Sequence, residues 1–270
     1  MTKGYYTLLE DRIGVSVRGA EARGFLQALV TQDLIGGPTG ISYAALLNAQ
    51  GRLEHDFFVY PQDDGVLLEC DAVRGERLAA TLARYRLRRE IVIDYAPLRV
   101  VAAWGDEVPA VFQNLWADPR PLPGVYRNII FQPSDLNELT ALEKADFKFY
   151  HRLCIGRKIP CGGRDIAWGE DTAADIGLDR LNGVSYAKGC YLGQELTSRM
   201  HHRGLAKKGL YAVRIAGEAL PAFTDIVTPE GDLIGEMRSH EGDLGLAVLR
   251  HDQLSAAARM GIVPMTDGDS

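Results

Sequence analysis

The chain has 270 residues, 46% hydrophobic and 24% charged, enough apolar material for a core without a disulfide or metal staple. Thirty basic against thirty-six acidic residues give a formal charge of −6, which excludes a global basic field for wrapping nucleic acid. The opening MTKGYYTLLEDRIGVSV lacks a signal-peptide core and the Arg-rich text of a transit peptide, and no run approaches the ~20 apolar residues of a membrane span. A cytoplasmic protein, or a processed form in an organellar matrix, is therefore expected, with no membrane partner and no stable nucleic-acid complex.

In chain order, IGVSV at 13–17 alternates as a short strand. Residues 20–30 place Phe25, Leu26, Leu29 and Val30 on one helical face. Strands follow at 41–47 and 53–60, joined by an Asn48-Ala49-Gln50-Gly51 turn. GVLLEC is a third strand ending at Asp71, which N-caps a helix carrying Val73, Leu78, Leu82 and Tyr85. IVIDY and LRVVAAW are β-rich, and 105–140 reads as irregular. Leu142, Ala145, Phe149 and Leu153 define a second amphipathic helix. Gly156 to Gly193 reads as loop, and LGQELTSRMHH as a helix with Leu192, Leu196 and Met200 one turn apart. From Lys207 onward, LYAVRI, DIVTPEGDLIGEM and LGLAVLR are short strands of a small barrel or sandwich, with a boundary at Gly204–Lys208. The order lacks a βαβα rhythm, so the fold class is α+β.

The four cysteines form no C-x-x-C pair, so a zinc ribbon or thioredoxin-like site is not indicated. Cys70, within GVLLECDA, reads as a buried small hydrophobe. Cys190 differs. It lies in Lys188-Gly189-Cys190-Tyr191-Leu192-Gly193-Gln194-Glu195, a loop turning into a helix, with Gly189 and Gly193 permitting tight backbone geometry. A helix N-terminus and the nearby Lys188 favour thiolate over thiol, the condition for a nucleophilic, redox or metal-binding cysteine. A packed structural cysteine is the alternative. Arg199, His201, His202, Arg203, Lys207 and Lys208 form a local basic run, either a solvated face or an anion site.

KGCYxGQE, followed by Arg199 and by His202-Arg203-Gly204, resembles the signature of the YgfZ family, as does the preceding LDRLNGVSYA. RGAEARGFLQALVTQDL resembles that family's opening helix, and LLNAQGRLEHDFFVY resembles a hairpin it shares with the glycine-cleavage T-protein, a folate-dependent aminomethyltransferase. The resemblance covers nearly the whole chain. It implies a folate-binding, aminomethyltransferase-like domain of interlocked antiparallel-sheet subdomains over 1–205, and a small C-terminal β-barrel over 206–270. It implies a tetrahydrofolate, or a one-carbon derivative of it, as cofactor. The implied role is an accessory one in assembly or repair of iron–sulfur clusters, with iron–sulfur enzymes or cluster carriers as partners and tRNA-modifying enzymes among the clients.

By the same resemblance Cys190 carries the activity. Asp56, after Asn48 and Gly51, stands where the T-protein has an acidic residue near the folate's reactive nitrogen, where it could orient a pterin N–H or take a proton. A solvent-facing strand residue is the alternative for Asp56. Lys188, Tyr191, Gln194, Glu195, Arg199 and Arg203 complete the expected folate-binding set, with the basic run near the glutamate tail. Against a one-carbon transferase, the rival reading, Cys154 occupies the place of a pterin-binding Glu, and a thiol cannot make the paired hydrogen bonds of a carboxylate.

Overall fold

The computed structural model describes residues 4–105, 108, 115–130 and 139–266. Two compact units emerge: Met1–Leu46, His55–Tyr150 and Asn182–Leu192 form one, and Leu47–Glu54, His151–Leu181 and Gly193–Ser270 the other. The second unit joins the C-terminal strands with two earlier stretches of chain. Chain proximity in sequence does not dictate these long-range associations.

The first unit contains two sheets. In one, β2 (Arg12–Arg18), β3 (Ser42–Leu47), β4 (Leu53–Gln62), β5 (Gly65–Asp71) and β6 (Val92–Ala96) run in the order β3-β4-β5-β2-β6. The Asn48 side-chain oxygen accepts from the N–H groups of Gln50 and Arg52 at 3.0 and 2.9 Å, which closes the β3–β4 turn, and Gly51 supplies the positive φ that it needs. Alternation then divides the sheet. Val15, Val17, Phe57, Val59, Val66, Leu68 and Cys70 pack on one side with α1 (Ala22–Gln27) and α2 (Gly75–Arg86). The expected first helix is thus shorter than its apolar pattern: Leu29 and Val30 are buried beyond its end, Val30 in a bridge to Leu46. Asp71 accepts from the Val73 N–H at 3.0 Å, but it caps a short 3-10 turn, Ala72–Arg74, ahead of α2. Leu78 and Leu82 are buried as expected, whereas Val73 and Tyr85 are exposed.

In the other sheet of this unit the order is β10-β1-β7-β9-β8, with β1 (Tyr5–Leu9), β7 (Arg99–Trp104), β8 (Trp116–Ala117), β9 (Val125–Ile130) and β10 (Glu143–Lys144). Thus β8 and β9 come from text that reads as irregular, and β10 from the start of the expected second helix, whose Leu142 and Ala145 precede the helix that begins at Phe147. β9 hides its period because its inward face alternates Val125, Arg127 and Ile129, a charge where an apolar residue is expected. The rest of the 105–140 reading lies largely outside the described residues.

In the second unit, β11 (Lys208–Ile215), β12 (Asp225–Val227), β13 (Leu233–Glu241), β14 (Leu244–Arg250) and β15 (Ile262–Pro264) form a sheet of order β12-β13-β14-β11-β15. Its strands close over Val213, Ile226, Ile234, Met237, Ala247 and Leu249, with α5 (Leu254–Arg259) contributing Ala256 and Ala257. The β-rich reading of the C-terminal third therefore holds.

Helix α3 (Phe147–Gly156) has the expected period with a different phase. Phe149 and Leu153 are 53% and 38% exposed, while Tyr150, His151, Cys154 and Ile155 are buried. Polar inward residues set this phase. The Tyr150 hydroxyl accepts from Arg120 and Arg127, each at 3.1 Å, within the first unit. His151 hydrogen-bonds Glu241 and Ser239 within the second.

Candidate functional site

Cys190 is exposed, on a loop that is pinned throughout its length. The Thr31 hydroxyl donates to the Gly183 carbonyl and the Gln32 amide to the Asn182 carbonyl, both at 2.5 Å. The Ser185 N–H donates to the Thr31 carbonyl at 3.0 Å, and the Leu192 N–H to the Ala28 carbonyl at 3.2 Å. Between these, the Lys188 ammonium donates to the carbonyls of Val30 and Gln32 at 2.6 and 2.9 Å and lies 5.1 Å from the centre of the buried Tyr191 ring. Burial lowers the Lys188 pKa to about 8 despite the opposing charge of Asp33. Lys188 therefore holds the loop by its own backbone partners, a role that the motif did not suggest. The result is a surface thiol on a fixed strap. Cys70 is the opposite case: burial pushes its thiol up to about 12.

Helix α4 (Gln194–Arg203) begins four residues after Cys190, so the cysteine precedes the first turn. Its N-cap is Gly193, at φ +76, where a Cβ would stand 2.5 Å from the Asn48 carbonyl oxygen. Gly51 meets this helix in turn: a Cβ there would lie 2.7 Å from that of Leu196. Both glycines are required by close approach within the second unit, whereas Gly189 has open space. On α4, Glu195 and Arg199 pair with one another at 2.5 Å on an exposed face, Gln194 is half-buried and Arg203 exposed. His201 and Lys208 of the basic run face Asp179 and Asp175, each at 3.7 Å. Thus Asp56, Lys188, Cys190 and Tyr191 belong to the first unit, and Gln194, Glu195, Arg199 and Arg203 to the second.

Asp56 is not a solvent-facing strand residue. It is 4% exposed, on the side of β4 opposite the apolar core. Its Oδ2 accepts from the Tyr43 hydroxyl at 2.8 Å, and its Oδ1, equally buried, meets no protein donor among the described residues. Around it lies a charged layer that sequence reasoning missed. Glu69 on β5 accepts from Arg12 at 2.8 Å, from Tyr60 at 2.8 Å and from Arg127 on β9. Asp118 takes two bonds from the Arg120 side chain, at 3.0 and 2.8 Å. The guanidiniums of Arg127 and Arg120 stand 3.9 and 4.8 Å from the Phe58 ring centre. Burial pushes the Glu69 carboxyl up, but Arg127 and Arg12 outweigh it and hold the pKa below the usual glutamate value. The signal in the sequence was a charge at an inward register position: Asp56 in LEHDFFVY, Glu69 in GVLLECD, Arg127 in VYRNII.

An orphaned buried carboxylate oxygen demands a donor, and the N–H groups of a pterin edge are donors of that kind.

The comparisons place the chain among known proteins. Residues 207–267 match the family model described as the CAF17 C-terminal beta-barrel domain. Across 91% of its length the chain is 32% identical to the mouse (Mus musculus) protein named iron-sulfur cluster assembly factor IBA57, mitochondrial, of which it covers 77%. The chain belongs to the IBA57 family. The human (Homo sapiens) relative of the same name matches with the same identity and coverage, and a Pyricularia oryzae homologue is 31% identical over 91% of the chain and 71% of its own length. The resemblance drawn from KGCYxGQE pointed to YgfZ; the family found is IBA57, whose members are likewise named for iron–sulfur cluster assembly. Among solved structures, glycine cleavage system aminomethyltransferase T from Bartonella henselae superposes with a TM-score of 0.77 at 14% identity, covering 93% of this chain and 80% of that one. For this IBA57-family chain, that likeness establishes an aminomethyltransferase fold with a C-terminal β-barrel, and the fold alone. The mammalian relatives carry the description mitochondrial. No helix among the described residues is long and apolar enough to cross a membrane.

Proposed function

We propose that this chain acts in iron–sulfur cluster assembly or repair as a folate-dependent accessory protein. Cys190 meets cluster-bearing partners, and the Asp56 face of the first unit binds a reduced folate. Family membership supports the cluster role. The observation that carries the folate half is Asp56 Oδ1, a buried acceptor with no protein donor among the described residues. Tyr43 fixes the orientation of this carboxylate through its other oxygen. Bound there, folate would supply one-carbon chemistry or serve as a structural ligand; the protein's part is to orient the pterin edge. One thiol cannot hold a cluster, which takes several thiolates, so contact through Cys190 is shared with a partner protein. The clients include tRNA-thiolating enzymes. Aminomethyl transfer is disfavoured: Cys154, at the place of a pterin-binding Glu, is buried and offers no paired acceptors.

Complementation tests the reading. A strain lacking its own family member is assayed for cluster-dependent tRNA thiolation with this gene and with its Cys190→Ser variant. Restoration by the first and failure of the second are expected; no restoration by the wild type counts against the role. Calorimetric titration with tetrahydrofolate tests the ligand separately, and absence of saturation at millimolar concentration removes folate from the proposal.

A further inference from the structure

We propose that His151, Cys161 and Asp165 form a binding site for one borderline divalent transition ion of the zinc and ferrous class. All three lie in the second unit, and none belongs to the KGCYLGQE loop. One ligand atom from each falls within 4.8 Å of the others. At bond lengths of ~2.0–2.3 Å, tetrahedral ligand atoms stand roughly 3.3–3.8 Å apart, so the group needs to contract by about 1 Å to close on an ion. His151 and Asp165 are 2% and 0% exposed, and half-buried Cys161 provides the way in from solvent.

The surroundings are those of a ligand set already oriented. Cys161 and Asp165 flank the 3-10 turn Gly162–Arg164, and the Cys161 N–H donates to Asp165 Oδ2 at 2.7 Å, fixing the two side chains relative to each other. Glu241 Oε1 lies 2.9 Å from His151 Nδ1, the outer carboxylate that commonly orients a metal-binding imidazole with Nε2 toward the ion. Ser239 Oγ lies between the inner groups, 2.9 Å from Nε2 and 2.5 Å from Asp165 Oδ1. The resulting chain Glu241–His151–Ser239–Asp165 has three links. An ion held by Nε2, the Asp165 carboxylate and the Cys161 thiolate would replace Ser239 as the partner of Nε2, and the thiol proton would leave to solvent.

The donor atoms select the ion. Calcium and magnesium prefer oxygen throughout, whereas nitrogen, sulfur and oxygen together suit zinc and ferrous iron. Three protein ligands leave a position open for an exchangeable fourth. Through Ser239 and Glu241 the bound ion would tie α3 and the 161–165 turn to β13, inside the second unit.

The test uses the full-length, reduced, metal-stripped chain and Co²⁺ as probe. One Co²⁺ per chain and a thiolate-to-cobalt charge-transfer band are expected, with displacement by Zn²⁺ and a Tm that rises with Zn²⁺. Cys161→Ser should abolish the band, and Cys190→Ser should keep it. Glu241→Gln should keep the band and weaken affinity ~10–100-fold. These positions are at least partly exposed, so the test does not depend on whether His151 or Asp165 variants fold. Absence of the band or of saturation in the wild type overturns the site. So does a band that survives Cys161→Ser, or one that disappears in Cys190→Ser.

Discussion

Two buried carboxylates on neighbouring strands of one sheet face are treated differently. Glu69 accepts from Arg12, Tyr60 and Arg127, and its surroundings favour the charged form. Asp56, on the next strand, has Tyr43 for one oxygen and, among the described residues, no protein donor for the other. A charge buried without partners costs several kcal/mol, so a fully paired carboxylate reads as architecture and a half-paired one as a place prepared for something else. The neighbour of each in sequence, His55 or Cys70, points the opposite way. These two therefore serve as controls in which burial acts without pairing.

The largest expected effect follows from breaking the paired site. Glu69→Gln takes from the Arg12 and Arg127 guanidiniums the carboxylate that both of them bond and should cost about 3–5 kcal/mol in urea unfolding. A loss under ~1 kcal/mol would mean that the layer is not the architectural element described.

His55 comes next. Burial, then Arg74 and Arg77, lower its pKa from 6.5 to about 3. The unfolded chain therefore binds a proton between pH 6.5 and 3 that the folded chain refuses, and stability falls as pH falls through that window. The slope from this group approaches ~1.4 kcal/mol per pH unit. His55→Leu should flatten the stability curve there, and an unchanged curve would show that the native ring is protonated.

Cys70→Ser places a hydroxyl where a thiol with pKa about 12 is buried and should cost ~1–3 kcal/mol. Cys190→Ser, on the exposed loop, should cost less than ~0.5 kcal/mol. Native-state alkylation should modify Cys190 and spare Cys70; equal rates would remove the distinction.

Asp56→Asn is the smallest in stability and the most telling. It keeps an acceptor for Tyr43 and removes a half-paired charge, so Tm should hold or rise. Tetrahydrofolate affinity should fall ~10–100-fold, as expected for a lost charged hydrogen bond. A destabilised variant with unchanged folate affinity would place Asp56 with Glu69 as architecture.

What the sequence by itself determined was local. The β3–β4 hairpin, β2, β5 and the C-terminal strands were legible because alternation and turn residues act over a few positions. The KGCYLGQE motif was legible because its identities are consecutive, and the need for glycine at 51 and 193 is written in the same short stretches. Tertiary structure decided what depends on distant partners. The phase of α3 was hidden because Tyr150 and His151 are polar yet face inward, a choice made affordable only by Arg120, Arg127, Ser239 and Glu241. Lys188 has the look of a ligand residue until the carbonyls of Val30 and Gln32, more than 150 positions earlier, take its ammonium. The burial of Asp56, its bond to Tyr43 and the convergence of His151, Cys161 and Asp165 are of the same kind. A pattern in sequence reports which face a residue prefers, but only the packed chain establishes which charges find a counterpart and which are left waiting for one.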